Sequence, residues 1–274
     1  MLKRKSKVLS KLAFLFKGCF FLFFSWSLTG KPLLVSEQGI VFDWGRLVMS
    51  YKSQSSCEKD SELKFTDLEK LALARGLSQV KGPLDTLYLS FLGENSLLDE
   101  NEDLFPRYEK HSYIISRELF ANHDLLVTIR SPLTSLFYLP MKLFKEAGPG
   151  GSQAVLAEKE KMGSPYTGVV LSLNEVVKPR ATYKIIDEKH NLLFTYKDLS
   201  HAVFTKNLMG RWYVSPSSKE LKAVVGSNPR ELSLVSFGEG IYQYETKGEV
   251  GQLENLKKLF SRGKIMLKIP KKSL

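Results

Sequence analysis

Short runs of alternating apolar and polar residues, paired across turn-forming residues, predict three β-hairpins in this chain. The clearest pair is 112–119 with 125–131, joined by the Asn- and Asp-containing residues 120–124. Two further pairs share the pattern, 40–42 with 47–51 and 183–186 with 192–196. Further strands are predicted at 167–173, 212–214, 232–237 and 264–269. The pattern is therefore typical of a protein rich in short strands.

Two segments instead repeat apolar residues every three or four positions, the spacing of a helix with one buried face. The first begins at residues 66–69, where Thr66 and Glu69 can cap the first turn reciprocally, and continues to Phe91. Pro83 is expected to kink or split it, because proline removes an amide donor and clashes with the preceding turn. The second is 250–260, which Gly263 ends.

The order of these elements predicts an α+β fold of two small subdomains, each with hairpins packed on a helix. Between them lie a glycine-rich run at 148–151 and a charged run at 158–161, which favour a linker or a loop. The predicted boundaries are 1–30 for a signal segment, 31–140 for the first subdomain, 141–163 for the linker, and 164–274 for the second subdomain with its basic C-terminal tail.

The first thirty residues have the order of a secretory signal: a positive leader at 3–7, an eleven-residue apolar run at 18–28, and small residues at 27–30. The run is shorter than the ~20 residues that a membrane-spanning helix needs. We therefore predict cleavage near Gly30 and export to the periplasm or the outer-membrane periphery. An uncleaved anchor is the alternative, although Lys11 and Lys17 interrupt the longer stretch counted from Val8.

The chain has two cysteines. Cys19 follows a glycine, as the lipidated cysteine of a lipoprotein signal does, but Lys17 is wrong for that signal and most of the apolar run follows Cys19. Lipidation is therefore the lesser alternative. After cleavage Cys57 would be the only cysteine, which excludes an intramolecular disulfide and leaves an intermolecular one open.

The formal charge of +11 invites a nucleic-acid interpretation. Residues 1–30 contain six basic residues and no acid, and removing these six leaves +5 for the remainder. Four more lysines lie in residues 264–272, so the middle of the chain is close to neutral. A nucleic-acid interface clusters basic residues on the folded body, so no nucleic-acid partner is predicted. Membrane contact is expected only through the N-terminal segment.

Motifs of catalysis are missing from the sequence: it has no GxSxG, no GxxxxGK[ST], no HExxH and no CxxC. The glycine-rich run lacks the Lys-Ser/Thr of a phosphate loop. The four histidines, His111, His123, His190 and His201, lack metal-ligand spacing. No catalytic, cofactor-binding or metal-binding residue is therefore predicted, and no cofactor.

A secreted hydrolase or ligand-binding protein is the competing hypothesis. Its site would have to form from scattered residues of the kinds that bind or catalyse, namely His123, His190, Asp187 and Trp212. Asp187 and Glu188 adjoin in a predicted turn, where side chains point apart and nothing would shift the pKa of a carboxyl group. This hypothesis requires a deep polar pocket that gathers two histidines and a carboxylate.

A succession of short motifs resembles a bacterial envelope family. In order these are an Asp43-Trp44 strand, the alanine-bearing 72–75, the strand 166–170, Lys178-Pro179, the hairpin residues 185–188, the turn 225–229 and the apolar 265–267. Proteins similar to the twenty-kilodalton outer-membrane lipoprotein share this order over residues 38–269, as does, more distantly, the N-terminal domain of flagellar assembly protein T. Here the helix is leucine-rich and the 187–191 turn lacks the usual glycine.

The resemblance implies an envelope location, α+β subdomains and no catalytic activity, and it transfers no site residues. The function it suggests is structural or protein-interacting, in outer-membrane or surface-appendage assembly. Other envelope proteins, including flagellar or outer-membrane components, would be the partners. Physically, small α+β modules of this kind present sheet edges and surfaces to such partners.

Overall fold

The computed structural model describes residues 31–56, 64–92, 105–122, 124–144, 166–245 and 253–271. Its strands, in chain order, are β1 (Lys31–Pro32), β2 (Leu34–Glu37), β3 (Ile40–Asp43), β4 (Val48–Ser55), β5 (Tyr113–Leu119), β6 (Leu125–Pro132), β7 (Gly168–Leu173), β8 (Lys184–Ile186), β9 (Leu192–Phe194), β10 (Arg211–Ser215), β11 (Pro229–Gly238), β12 (Ile241–Tyr244) and β13 (Ile265–Lys268). Its helices are α1 (Phe65–Leu92), α2 (Phe105–His111), α3 (Leu133–Leu136), α4 (His201–Asn207), α5 (Ser218–Val225) and α6 (Leu253–Ser261). Short 3-10 turns lie at Met141–Leu143 and Tyr196–Asp198.

The strands form two sheets, and the fold is α+β, as predicted. One sheet is five-stranded and antiparallel, in the order β2-β3-β4-β6-β5. The other is eight-stranded and mixed, in the order β1-β10-β13-β7-β11-β12-β8-β9. Parallel pairs join β10 to β13, β13 to β7, β7 to β11 and β12 to β8.

All three predicted hairpins are confirmed: β3 with β4, β5 with β6 and β8 with β9 are antiparallel neighbours along the chain. The predicted helix at 250–260 is present as α6. Residues 197–203 contain the end of one 3-10 turn and the start of α4. Strands β1, β2 and β12 and helices α2, α3 and α5 were not predicted, although α5 has a clear signal. Ser217 and Glu220 form a capping box there, with the serine hydroxyl accepting from the Glu220 amide.

Helix α1 departs from its prediction in two ways. It is not split at Pro83, because leucines on both sides of the proline are buried on the same face and hold the helix in one piece. It also begins at Phe65, so Thr66 is not its N-cap. Instead, the carbonyl of Lys64 accepts hydrogen bonds from the amides of Asp67 and Leu68 in the first turn.

Helix α1 covers one face of the five-stranded sheet. The hydroxyl of Ser53 donates to the carbonyl of Ala72, and that of Ser55 to the carbonyl of Leu68. These buried serines on β4 tie the strand to the helix and satisfy their own polar atoms. Gly76 lets the helix approach closely, since a Cβ atom there would lie 2.6 Å from the Cδ1 atom of Ile129.

A continuous apolar core joins the two sheets. At the joint, three backbone hydrogen bonds close a ring: Leu33 donates to Trp212, Trp212 to Trp44, and Trp44 to Leu33. The Tyr213 hydroxyl also donates to the carbonyl of Gly45. Strand β1 extends this joint by pairing with β10, so residues 31–32 lie in the sheet otherwise formed by residues 168–268. The predicted subdomain boundaries themselves stay predictions.

The predicted signal segment, residues 145–163 of the predicted linker and both cysteines lie outside the described residues, whereas residues 141–143 of that linker form a 3-10 turn. Within the described ranges, no helix has both the length and the apolar character required to cross a bilayer.

Candidate protein-binding edge

Strand β5 is the longest sheet edge in the described part of the chain. It has seven residues and pairs with β6 on one side. The other three sheet edges, β1, β2 and β9, have two, four and three residues. A strand at the edge of a sheet presents a row of main-chain N–H and C=O groups with which another strand can pair. Among the described residues, β5 therefore offers the longest template for such pairing.

The hydrogen-bond pattern identifies which groups of β5 point outward. The amide of Phe120 donates to the carbonyl of Asp124 at 2.9 Å, so residues 120 and 124 are a hydrogen-bonded pair. The register places Glu118 opposite Leu126 and Arg117 opposite Val127. Because hydrogen-bonded and non-hydrogen-bonded pairs alternate in an antiparallel ladder, Arg117 and Leu119 direct their N–H and C=O groups to the open edge.

Helix α1 lies on the face of the sheet over β4 and β6 and reaches β5 through a side-chain pair. Glu69 on α1 makes an ion pair and hydrogen bond with Arg117 on β5, which links the helix to the edge strand. Phe65 and Leu73 lie one turn before and one turn after Glu69, so the three share one stripe of the helix. Phe65 is 45% exposed, whereas Leu73 packs against the core.

Of the exposed apolar side chains of β5, Leu119 lies on the face of the sheet that α1 covers. Leu119 is 59% exposed and pairs with Leu125, which in turn lies opposite Ser55 and hence near the first turn of α1. Tyr113, Ile115 and Phe120 are also exposed, with Tyr113 and Phe120 on the opposite face of the sheet. We call the open edge of β5 together with the α1 stripe of Phe65, Glu69 and Leu73 the β5 groove.

Two features of β5 limit its pairing with arbitrary strands. A bulge interrupts the register between Ile114 and Ser116, which twists the edge locally. The adjacent Arg117 and Glu118 place charges in the middle of the strand. Natural sheets use bulges and charges at their edges in this way to prevent unselective aggregation.

A second concave feature lies on the eight-stranded sheet beside α5. It is a shallow groove of about 300 Å³ with Val170 and Leu221 in its lining and Glu231 and Lys268 at its polar side. The Ser172 hydroxyl donates to Glu231 at 2.6 Å, and the Lys268 ammonium lies 3.8 Å from the same oxygen. The Glu231 and Lys268 side chains are 62% and 47% exposed, so this ion pair is solvated and weak.

The residues of the competing hypothesis do not come together in the described structure. Trp212 is fully buried in the core, where its ring packs against Tyr183 and Tyr242. Asp187 and His190 lie in the exposed β8–β9 turn, and His123 lies outside the described residues. The pocket that this hypothesis requires is therefore not formed by Trp212 with the turn residues.

Asp187 and His190 make the contacts that are typical of turn residues. The Asp187 carboxylate accepts from the amides of Lys189 and Asn191 and from the Asn191 side chain. The side-chain hydrogen bond from Asn191 is the main cause that lowers the pKa of Asp187. His190 adopts a positive φ of 62° and rests its ring 4.8 Å from that of Phe237. Both residues thus serve the hairpin.

The other described histidines have structural surroundings. The Nε2 atom of His201 lies 3.2 Å from the carbonyl oxygen of Leu139, and its ring packs against Tyr138 and Phe144. His111 ends α2. In the parts of the chain that the structure describes, no three His, Cys, Asp or Glu side chains cluster as metal ligands would. The glycine-rich run at 148–151 is outside those parts.

A buried polar cluster between β4, α2 and β6 was not expected from the sequence. The hydroxyls of Ser112 and Ser131 lie 2.6 Å apart, and Ser112 also donates to the carbonyl of Tyr108. Burial raises the pKa of the neighbouring Tyr51 hydroxyl well above its ordinary value and also raises the pKa of the Tyr108 hydroxyl. These tyrosines stay protonated at neutral pH and serve to fix α2 against the sheet.

Comparison with known proteins adds no relative: neither the protein-family models nor the curated proteins searched include a match to this chain. The resemblance to envelope lipoproteins therefore stays a prediction based on the order of its motifs.

Proposed function

We propose that this chain is a non-catalytic, exported envelope protein that acts by binding another protein at the β5 groove. The partner contributes an extended segment that adds to the five-stranded sheet as a sixth strand beside β5. The seven-residue open edge, flanked by exposed apolar side chains, is the observation that carries this proposal. Strand addition of this kind gains affinity from main-chain hydrogen bonds and specificity from alternate side chains.

The groove defines the chemistry of the incoming segment. Alternate side chains of an added strand point to the face that α1 covers, toward Phe65, Leu73 and Leu119. Apolar residues at those positions would bury the exposed parts of Phe65 and Leu119. The segment must also avoid a charge that competes with the Arg117–Glu69 pair. An extended segment with apolar residues at alternate positions and a neutral centre meets these conditions.

Replacing Arg117 with proline should weaken partner binding about five- to tenfold, because proline removes an outward amide that the partner strand needs. Proline is tolerated on edge strands when its missing amide faces solvent. The measurement is capture of envelope proteins by the tagged chain, followed by titration of the captured partner against each variant.

Arg117→Gln is the matched control, since it also loses the ion pair with Glu69 but keeps the main-chain amide. We expect it to bind within about twofold of the native chain. A photo-crosslinker at position 115 should reach the partner, whereas one at the exposed position 237 on the other sheet should not. Equal binding by the proline and glutamine variants, or crosslinks at 237 alone, would show that β5 is not the binding edge.

Export is tested by the intact mass of the native protein in fractionated cells. We expect a mass that begins near Lys31, in the periplasmic or outer-membrane fraction, because residues 1–30 have the order of a cleaved signal. A full-length mass in the inner membrane would indicate an uncleaved anchor, and a mass beginning at Cys19 with acyl chains would indicate a lipoprotein. A full-length protein in the cytosol would contradict export.

A further inference from the structure

Four exposed lysines lie on or next to the neighbouring strands β1, β10 and β13, where the polypeptide enters the eight-stranded sheet. Lys31 of β1 pairs with Ser215 at the end of β10, and Tyr213 of β10 pairs with Lys268 at the end of β13. The chain continues from β13 to Lys271, with the amide of Ile269 donating to the carbonyl of Tyr213 at 3.0 Å. Lys219 lies in the first turn of α5, just beyond β10. We call Lys31, Lys219, Lys268 and Lys271 the lysine corner.

Acidic side chains only partly balance this corner. Glu231 lies 3.8 Å from Lys268. The Glu220 carboxylate accepts from the Ser217 amide and hydroxyl as part of the α5 cap. Four lysines with these two carboxylates leave the corner positive. The shallow groove beside α5 opens here as well, with Ser215 and Lys268 in its lining.

The lysine corner is joined almost directly to the apolar run at 18–28. Only Thr29 and Gly30 separate the run from Lys31. A chain advances at most ~3.6 Å per residue, so Lys31 lies within about 11 Å of the end of the run. The headgroup layer on each side of a bilayer is about 5–8 Å thick. While the apolar run is in a membrane, this covalent limit holds β1 at the headgroups.

We infer that in the full chain, as precursor or as anchored protein, the lysine corner binds the anionic headgroups of the membrane that holds the apolar run. An apolar anchor and a basic patch reinforce each other, since a basic residue near an anionic surface is attracted within a Debye length. This inference extends the expected membrane contact from the N-terminal segment to the folded body. It does not depend on the β5 groove, which lies on the other sheet.

The orientation test uses the full chain incorporated into vesicles of phosphatidylcholine, with and without phosphatidylglycerol. A membrane-impermeant lysine acylating reagent is added, and the modification of each lysine is followed by mass spectrometry. In phosphatidylglycerol vesicles, modification of Lys31, Lys268 and Lys271 should slow about fivefold or more, and high salt should restore it. Modification of the exposed Lys52, Lys189 and Lys206, on other surfaces, should not change.

A pair of triple variants distinguishes an effect of the lysine corner from an effect of net charge. The variant K31Q/K268Q/K271Q and the control K52Q/K189Q/K206Q lose the same charge from exposed positions. Only the first should abolish the lipid-dependent protection of the remaining corner lysine, Lys219. Equal modification of corner and control lysines in both lipids would overturn the inference, as would equal behaviour of the two variants.

Discussion

Replacing Trp212 with alanine is expected to lower the free energy of unfolding by about 3–5 kcal/mol, the usual loss for a large aromatic side chain in a core. Trp212 is among the largest fully buried side chains of the protein. Its ring lies 6.2 Å from that of Tyr183 and 6.3 Å from that of Tyr242, so the deletion would leave a cavity lined by aromatic groups. Rigid neighbours of this kind collapse poorly into a cavity, which increases the cost.

The position of Trp212 also predicts how the protein unfolds. Its backbone belongs to the ring of hydrogen bonds with Leu33 and Trp44 at the joint of the two sheets. Because one apolar core spans that joint, both sheets should lose structure in a single transition. The measurement is denaturant unfolding followed in parallel by circular dichroism and tryptophan fluorescence. The transitions by the two probes should coincide, and the variant should shift both equally.

Phe237→Ala is the control for this prediction, since Phe237 is an aromatic residue of the same sheet that is 53% exposed. Phe237→Ala should lower the free energy of unfolding by less than about 1 kcal/mol, because it removes little buried apolar area. If Trp212→Ala lowers the free energy of unfolding by as little as Phe237→Ala, or if two separate transitions appear, the two sheets do not share one cooperative core.

Replacing Gly168 with alanine should destabilise the protein by about 3 kcal/mol, at the upper end for an overpacked site. A Cβ atom there would lie 2.5 Å from the carbonyl oxygen of Val225 and 2.8 Å from that of Lys264. Both obstacles are backbone atoms, so they cannot rotate away as the end of a side chain could. The methyl group would force β7 apart from the end of α5 and from the segment before β13.

Gly238→Ala is the matched control, because the space around the Cβ position at residue 238 is open and its φ is not in the left-handed region. Gly238 ends strand β11, and glycine in a strand costs up to roughly 0.5–1 kcal/mol relative to alanine. The same change should therefore leave stability equal or slightly higher at 238 and lower it strongly at 168. Thermal unfolding of the two variants decides the point, and equal melting temperatures would contradict the close approach of backbone at Gly168.

The two proposed surfaces lie on different sheets, the lysine corner on the eight-stranded sheet and the β5 groove at one edge of the five-stranded sheet. Strand β2 follows β1 directly and forms one edge, whereas β5 forms the other. Four strand spacings of about 4.8 Å place β5 some 19 Å from β2. A protein held at a membrane through residues 1–30 and the lysine corner would thus keep the β5 groove away from the point of attachment and accessible to a partner.

Local sequence chemistry determined the three hairpins and helices α1 and α6. Turn residues such as Asp187 and Asn191 hydrogen-bond to each other, so their pairing of β8 with β9 needs no distant contact. Alternation along 125–131 likewise fixed which face of β6 is buried. The capping box of α5 is also a local feature, because it is formed by residues 217–220 alone. Export, too, is predicted from the first thirty residues alone.

Only the tertiary structure decided which strands are neighbours and which edge stays open. The pattern of residues 112–119 predicts a strand but does not distinguish an edge strand from a central one, because alternation reports a buried face and not a hydrogen-bonding partner. The uninterrupted α1 and the placement of β1 beside β10 depended on contacts made far along the chain. The β5 groove and the lysine corner are both products of such long-range pairing. The sequence by itself therefore determined the hairpins, helices α1 and α6 and their buried faces, and the tertiary structure determined the neighbours of each strand and the surfaces on which we base the proposed function.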